Sequence, residues 1–380
     1  IDGATGQRVA VADGMQVDAR GISRANVLAS GMTDGGTAGG GAGVAIQIGN
    51  SRTRALTGAT DPAAPVGITA GSLTVRAGNE TPEADFIEDN GNRFGAQAFA
   101  GQGAEQVGLS GALALNIVGT DEVRAEVGSG MTITLGGGDI TVEAVAESQA
   151  DALADAAPEE EIETIFDAFM TLQPEDDEAA GPVLGVGGAL ALTVANRDAV
   201  ALMQGGVVLI EAGALTINAG QSVSATSSAN AAGAGGVSLV PTLALTVSDS
   251  DVRATLASDP TALSLAGDLS ITVNQALETE AVATGESGNE DDPAKVGIGM
   301  SAGLDIAVSD AMALLDRDVT ATGNATITAE AERSSRSGAT SGTNATAGPE
   351  EEEDGEGEEP DPDTRADVIE TITQSVEVAK

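Results

Sequence analysis

The sequence predicts an all-β protein, a parallel β-solenoid (β-helix) of about five to six imperfect repeats with acidic loop inserts and one short helix. Two alternating apolar signatures recur in fixed order along the 380 residues, and the composition suits closely stacked layers. Glycine supplies 51 residues, alanine is the commonest type, and the only aromatic side chains are five phenylalanines. Hydrophobic residues still make up 41% and mean hydropathy is +0.05, too apolar for a disordered chain. A core of Ala, Val, Leu and Ile is expected. Small side chains of this kind pack well between regular layers and poorly in an irregular globule.

The first signature is Gly-x-Leu-Thr-Ile-x-Ala. It reads Gly71-Ser-Leu73-Thr-Val75-Arg-Ala77, then Gly138-Asp-Ile140-Thr-Val142-Glu-Ala144 and Gly213-Ala-Leu215-Thr-Ile217-Asn-Ala219. Gly267-Asp-Leu269-Ser-Ile271-Thr-Val273 and Gly323-Asn-Ala325-Thr-Ile327-Thr-Ala329 follow, with a frayed copy at Gly14-Met15-Gln16-Val17-Asp18-Ala19. Successive full copies start 67, 75, 54 and 56 residues apart. The second signature is an alternating Leu-x-Leu-x-Val strand ahead of each full copy. It appears at Val44-Ala-Ile46-Gln-Ile48, Leu113-Ala-Leu115-Asn-Ile117, Leu190-Ala-Leu192-Thr-Val194, Leu243-Ala-Leu245-Thr-Val247 and Leu304-Asp-Ile306-Ala-Val308. Period-2 alternation marks strands with one face buried. Residues carrying Asp or Asn follow, and then an Ala/Val-rich strand such as Ala199-Val200-Ala201-Leu202. An Ala/Ser alternation such as Ser222-Val223-Ser224-Ala225-Thr226 comes after the first signature. One repeat is thus expected to hold about four short strands joined by Gly and Asx turns.

Length variation between copies is expected at one position, ahead of the Gly-rich strand, and it is acidic: Glu80 to Asn92, Pro158 to Glu178, Glu286 to Asp292 and Glu350 to Asp363. Insertions confined to one point of a repeat mark loops on one face of a stack. The divisions that follow are a degenerate repeat at 1–40, repeats at 41–107, 108–184, 185–235, 236–296 and 297–365, and a further strand at 366–380. A short helix is expected over Glu159–Met170, opened by Pro158 and with Ile162, Ile165, Phe166 and Phe169 on one stripe. The run from Glu350 to Glu356 is expected to be disordered.

Charge and missing residue types narrow the function. Asp and Glu number 59 against 16 Lys and Arg, a net charge of −43, which repels nucleic acid and anionic membranes. With no His, Cys, Trp or Tyr, the chain lacks the commonest general base, the thiol nucleophile and the soft metal ligands. A carbohydrate-active β-helix enzyme using paired carboxylates is disfavoured, since such grooves normally add Tyr, Trp or His. No catalytic residues or organic cofactor are assigned. No apolar run is long enough to span a bilayer, so no membrane insertion is expected.

The glycine-flanked Gly-x-Leu-Thr-Ile-x-Ala strands resemble the repeats of filamentous-haemagglutinin-like adhesins and other giant bacterial surface proteins. The resemblance covers most of residues 40–340. It implies a parallel β-solenoid carried to the cell surface for adhesion, fibre formation or biofilm cohesion, with surface glycans or other cells as partners. This chain departs from that pattern in a repeat two to three times longer than a coil of about 20 residues, so that one repeat is two coils or a different arrangement. A passive stalk for a distal adhesive domain, or a Ca²⁺-binding module, are the alternatives. The candidate ligands for Ca²⁺ are the recurrent Asx carboxylates Asp121, Asp198, Asp249, Asp251 and Asp310, offering hard oxygen donors. The competing reading is that these side chains bond the turn backbone. The first and last segments read as incomplete pattern without polar caps, so the chain is expected to be a piece of a longer polypeptide or to meet another copy end to end.

Overall fold

The computed structural model describes residues 2–3, 8–33, 37–59, 66–79, 91–102, 107–156, 184–233, 236–287 and 296–343. A partial turn comes first, with β1 (Asp2–Gly3), β2 (Arg8–Ala10), β3 (Gly14–Arg20) and β4 (Arg24–Thr33). The first full turn holds β5 (Ala38–Ala59), β6 (Val66–Thr69), β7 (Ser72–Gly78) and β8 (Asn92–Gln102). The second holds β9 (Val107–Val127), β10 (Met131–Thr134) and β11 (Ile140–Ala156), and the third β12 (Leu184–Met203), β13 (Val208–Ile210) and β14 (Leu215–Gly233). The fourth holds β15 (Val237–Leu265) and β16 (Leu269–Ser287), the fifth β17 (Val296–Ala321) and β18 (Ala325–Thr343).

These strands form three parallel sheets, and the fold is a parallel β-solenoid. A long sheet runs β1-β5-β9-β12-β15-β17. An opposing sheet runs β3-β7-β11-β14-β16-β18, with β4 and β8 extending it beside β11. A narrow sheet, β2-β6-β10-β13, closes one side. Each sequence repeat is one turn of the solenoid. The two signatures stack on themselves in register: Leu115, Leu192, Leu245 and Leu304 are successive partners, as are Leu73, Ile140, Leu215 and Leu269.

Three sequence expectations are corrected. From the second turn on, the four expected short strands merge into two long ones, with a short strand of the narrow sheet between them in the second and third turns: the Leu-x-Leu-x-Val strand continues unbroken into the Ala/Val strand as β12, and the first signature continues into the Ala/Ser strand as β14. The Asx positions Asp121, Asp198, Asp249, Asp251 and Asp310 therefore lie within strands and not in turns. The only disturbance there is a bulge on β9 at Gly119–Thr120, which both flanking strands register around. Inserts also occupy two positions, not one: residues 80–90 interrupt the opposing sheet between β7 and β8, while 157–183 and 288–295 link the opposing sheet to the long one. The helix expected over Glu159–Met170, the acidic run from Glu350 and the strand from Asp367 to Val376 lie outside the described residues, and no helix occurs within them.

The interior changes character along each strand. Beside the narrow sheet it is filled by large side chains, among them Leu73, Ile133, Ile140, Met203, Leu215 and Leu256. At the opposite end two sheets face each other directly and the buried cluster is alanine apart from Val240. There the backbones come so close that side chains are excluded. A Cβ on Gly187 would stand 2.5 Å from the Ala232 carbonyl oxygen, and one on Gly43 or Gly303 would overlap the carbonyls of Phe99 and Gly338. With Ala and Gly inward, period 2 turns the leucines of the second signature outward. Val44, Ile46 and Ile48 are exposed, Ile48 to 66%.

The signature glycine marks a corner. Gly71, Gly138, Gly213, Gly267 and Gly323 stack, with Gly213 donating its N–H to the Gly138 carbonyl at 2.7 Å and Gly267 to Gly213 at 3.0 Å. A Cβ on Gly138 would run into the Gly71 carbonyl, which is why the position is glycine in every copy. The thin end makes a counterintuitive forecast. Ala191→Leu should cost about 1–3 kcal/mol by overpacking, whereas Leu192→Ala beside it should cost well under that; urea denaturation of both variants checks the order.

Candidate functional site

Between the large-residue core and the alanine end runs a polar seam built by the inward face of the long sheet. Asn116, Thr193, Thr246 and Asp305 are successive partners across the strands and all point inward. Each bonds the facing sheet: Asn116 Nδ2 donates to the Phe94 carbonyl at 2.6 Å, Thr193 Oγ1 to Thr226 and Thr246 Oγ1 to Glu280, both at 2.6 Å. Asp305 Oδ2 accepts from Thr279 Oγ1 at 2.6 Å and from Ser335 Oγ. These bonds tie the two sheets together, while Asn116 Oδ1 and Asp305 Oδ1 stay buried without a hydrogen-bond partner.

Two inward positions further along the strands, past the buried Val118 and Ala195, lies the row Ser51, Asp121, Arg197, Ser250. Arg197 is fully buried; its Nε donates to Ser148 Oγ at 3.2 Å and its Nη2 to the Ser224 carbonyl at 3.0 Å. Burial lowers its pKa to about 10, against the opposing pull of Asp121 and Asp151. Asp121 accepts from Asn92 Nδ2 at 2.6 Å. Burial pushes its carboxyl above the ordinary value, opposed by hydrogen bonds from Ser148 and Asn92 and by the Arg197 charge. Ser250 hydrogen-bonds Gln221 and accepts from Gln275 at 2.9 Å, carrying the seam into the fourth turn. The seam is sealed from solvent at Arg197 and serves to join turns; nothing in sequence flagged this arginine.

The candidate cation ligands divide. Asp121 points into the seam. Asp198, Asp251 and Asp310 share one outward row with Glu122, on neighbouring strands. Asp249 points outward two positions from Asp251. Arginines accompany this acidic ladder: Arg54 pairs with Glu122, and Arg253 lies 2.8 Å from Asp251 and 3.8 Å from Asp310. Asp198 is raised above the ordinary carboxyl value by burial and then by Asp251 and Glu122, with Arg253 opposing. Among the described residues no group of three or more carboxylates is drawn together to hold a metal ion.

A second set of carboxylates acts at the corners. Asp139 Oδ1 accepts the Ala214 N–H at 2.8 Å and Asp268 Oδ1 the Asn324 N–H at 2.6 Å, each bonding the next turn. Asp259 accepts the N–H groups of Gly206 and Thr261, which hold its carboxyl below the ordinary value. The Gly-Asp pair opening two signature copies is the sequence signal for Asp139 and Asp268; Asp259 has none. The outer face of the opposing sheet carries a depression of about 460 Å³ lined by Glu147, Ser222, Ser224, Glu278, Glu332 and Ser334, with carboxylates and hydroxyls but no aromatic ring. The long sheet carries a shallow apolar groove of about 510 Å³ floored by Gly111 and Gly188.

No family model, curated protein or solved structure matches this chain. Among the described residues no helix is long and apolar enough to cross a membrane.

Two outcomes are expected. Arg197→Met removes the buried donor to Ser148 and the Ser224 carbonyl together with a positive charge that favours the Asp121 carboxylate, and should cost about 1.5–3 kcal/mol at neutral pH. Because burial raises the Asp121 carboxyl, the charge part of that cost should shrink as pH falls through the carboxylate range, and Asp121→Asn added to Arg197→Met should recover part of it in urea melts. For Asp198, a raised folded-state pKa means that the fold favours the protonated form: the stabilisation is present at acid pH and lost as pH rises. Asp198→Asn should therefore be at least as stable as the parent at pH 7, and the difference should close once both are melted below the carboxylate range.

Proposed function

We propose that this chain is a structural component of an extracellular surface layer or fibre, adhesive or cohesive in role, lengthened by adding turns to its open edges. The observation that carries this reading is the register. Turns stack partner on partner across the long sheet, and the last described strands, β17 and β18, are 26 and 19 residues long. Among the described residues nothing pairs with their far edges. An unpaired strand edge is a template for another strand. The added strands would come from further repeats of one polypeptide or from a second copy, and a head-to-tail contact of that kind leads to an open filament. The repeat pattern's likeness to surface adhesins supports the cell-surface assignment, with glycans or other cells as the bound partner. A passive stalk shares the same architecture.

Divalent cations form a second reading, favoured by the single outward row of Glu122, Asp198, Asp251 and Asp310. A rise in melting temperature in millimolar CaCl₂ that matched NaCl does not reproduce would support it, and equal rises would reduce it to screening. For assembly, the concentrated chain should form end-to-end oligomers or fibres in negative stain. A folded, charged domain appended after Lys380 should leave circular dichroism of the solenoid unchanged and shorten them. No oligomers from the parent chain, or fibres of unchanged length from the blocked one, would refute homopolymer growth.

A further inference from the structure

The outward face of the long sheet, over the first half of its strands, has no polar side chain. Six outward positions on each of five strands are involved. On β9 they are Val107, Leu109, Gly111, Leu113, Leu115 and Ile117; on β12 they are Leu184, Val186, Gly188, Leu190, Leu192 and Val194. On β5, β15 and β17 the register partners are likewise aliphatic, Met, Pro or Gly. A chain of net charge −43 leaves this strip uncharged. The outward face of the opposing sheet shows the contrast, with Thr141, Glu143, Glu147, Gln149, Asp151 and Asp155 on β11 alone.

We propose that this strip is a two-fold interface between two copies of the chain, packed face to face. Size is the first reason. Five strands about 4.8 Å apart and some eleven residues at about 3.3 Å give a flat patch of roughly 800 Å², which is one partner's share of a standard stable interface. Relief is the second. Across the strip run a low row, Ala42, Gly111, Gly188, Pro241, and beside it a high row, Val44, Leu113, Leu190, Leu243. In the fifth turn the order reverses, with Met300 in the low row and Ala302 in the high one. A two-fold axis parallel to the stacking direction and lying between the two rows sets each row against the other row of the partner. Four of the five turns then meet small against large, as Gly111 against Leu113 and Met300 against Ala302, and the fourth sets Pro241 against Leu243. Such self-complementarity is what an isologous contact requires.

Charge is the third reason. The ladder of Glu122, Asp198, Asp251 and Asp310 borders the strip on one side only. The same axis carries the two ladders to opposite flanks, tens of ångströms apart and beyond the screening length of about 8 Å at physiological salt. An anionic membrane or nucleic acid would meet that ladder directly. Finally, the fold itself does not require the glycine at 111: a Cβ there meets nothing within 4 Å, and its backbone is not left-handed.

The test uses the full chain in sedimentation equilibrium. At concentrations below those at which end-to-end growth sets in, the parent should associate to twice 37.2 kDa, more tightly in 0.5 M than in 0.05 M NaCl as repulsion is screened. Leu190→Glu with Leu243→Glu should weaken association at least tenfold with the circular dichroism unchanged. Gly111→Leu should do the same by filling the low row, and adding Leu113→Gly, which exchanges the rows as the fifth turn already does, should restore pairing. End-to-end growth is distinguishable, since it adds mass without stopping at two and is not sensitive to these changes. A monomer at every concentration overturns the proposal, as does a monomer that floats with neutral phosphatidylcholine vesicles, or a dimer that all these variants leave intact.

Discussion

The separation of two facing sheets governs this molecule. At the end of each turn far from the narrow sheet, backbone approaches backbone until only Ala and Gly fit between them. A strand presents alternate residues to opposite sides, so committing alanine inward commits leucine and valine outward. That inverts the usual arrangement, in which the larger apolar groups fill the interior. It also explains where cohesion resides. Bulky packing is concentrated beside the narrow sheet, and the thin part relies on backbone ladders and on cross-sheet bonds from Asn116, Thr193 and Thr246.

Much of this was legible from residues alone. Gly-x-Leu-Thr-Ile-x-Ala specifies corner and core together: its glycine cannot carry a side chain under the carbonyl of the turn before, and its branched residues alternate against polar Thr, Asn and Glu. Period and polarity agree, so the inward side declares itself. In Leu-x-Leu-x-Val the intervening residues are an Ala and a polar residue (Gln47, Asn116, Thr193, Thr246, Asp305), so alternation by itself points the leucines inward, the opposite of what the structure shows. The deciding quantity is the inter-sheet distance, set by residues far away in sequence. The Asx positions misled for a related reason. Asp and Asn favour turns locally, but register with four neighbouring strands outweighs that preference, and only β9 retains a trace, as the bulge at Gly119–Thr120.

Arg197 shows a different limit. A single arginine in a Val-Ala-Asn-Arg-Asp-Ala stretch looks like a surface charge. Stacked on Asp121 and facing Ser148, it lies fully inside the fold. Its neighbours in the row are Asp121 on one side and Ser250 on the other, so opposite charges adjoin only across these two turns while hydroxyls and amides continue the seam. Single-turn chemistry of this kind leaves no repeat signal. It can, however, specify which turn stacks on which, where otherwise similar turns could exchange places.

One turn per repeat has a geometric consequence. Each turn of 54 to 75 residues advances the stack by a single strand spacing of about 4.8 Å, whereas a helix of that many residues would extend by about 1.5 Å for each one. A strand of about twenty residues spans more than 60 Å at about 3.3 Å per residue. Five turns are therefore broader than they are tall. Every added repeat contributes far more area to the two large faces, one polar and the other apolar over the first half of its strands, than height to the stack.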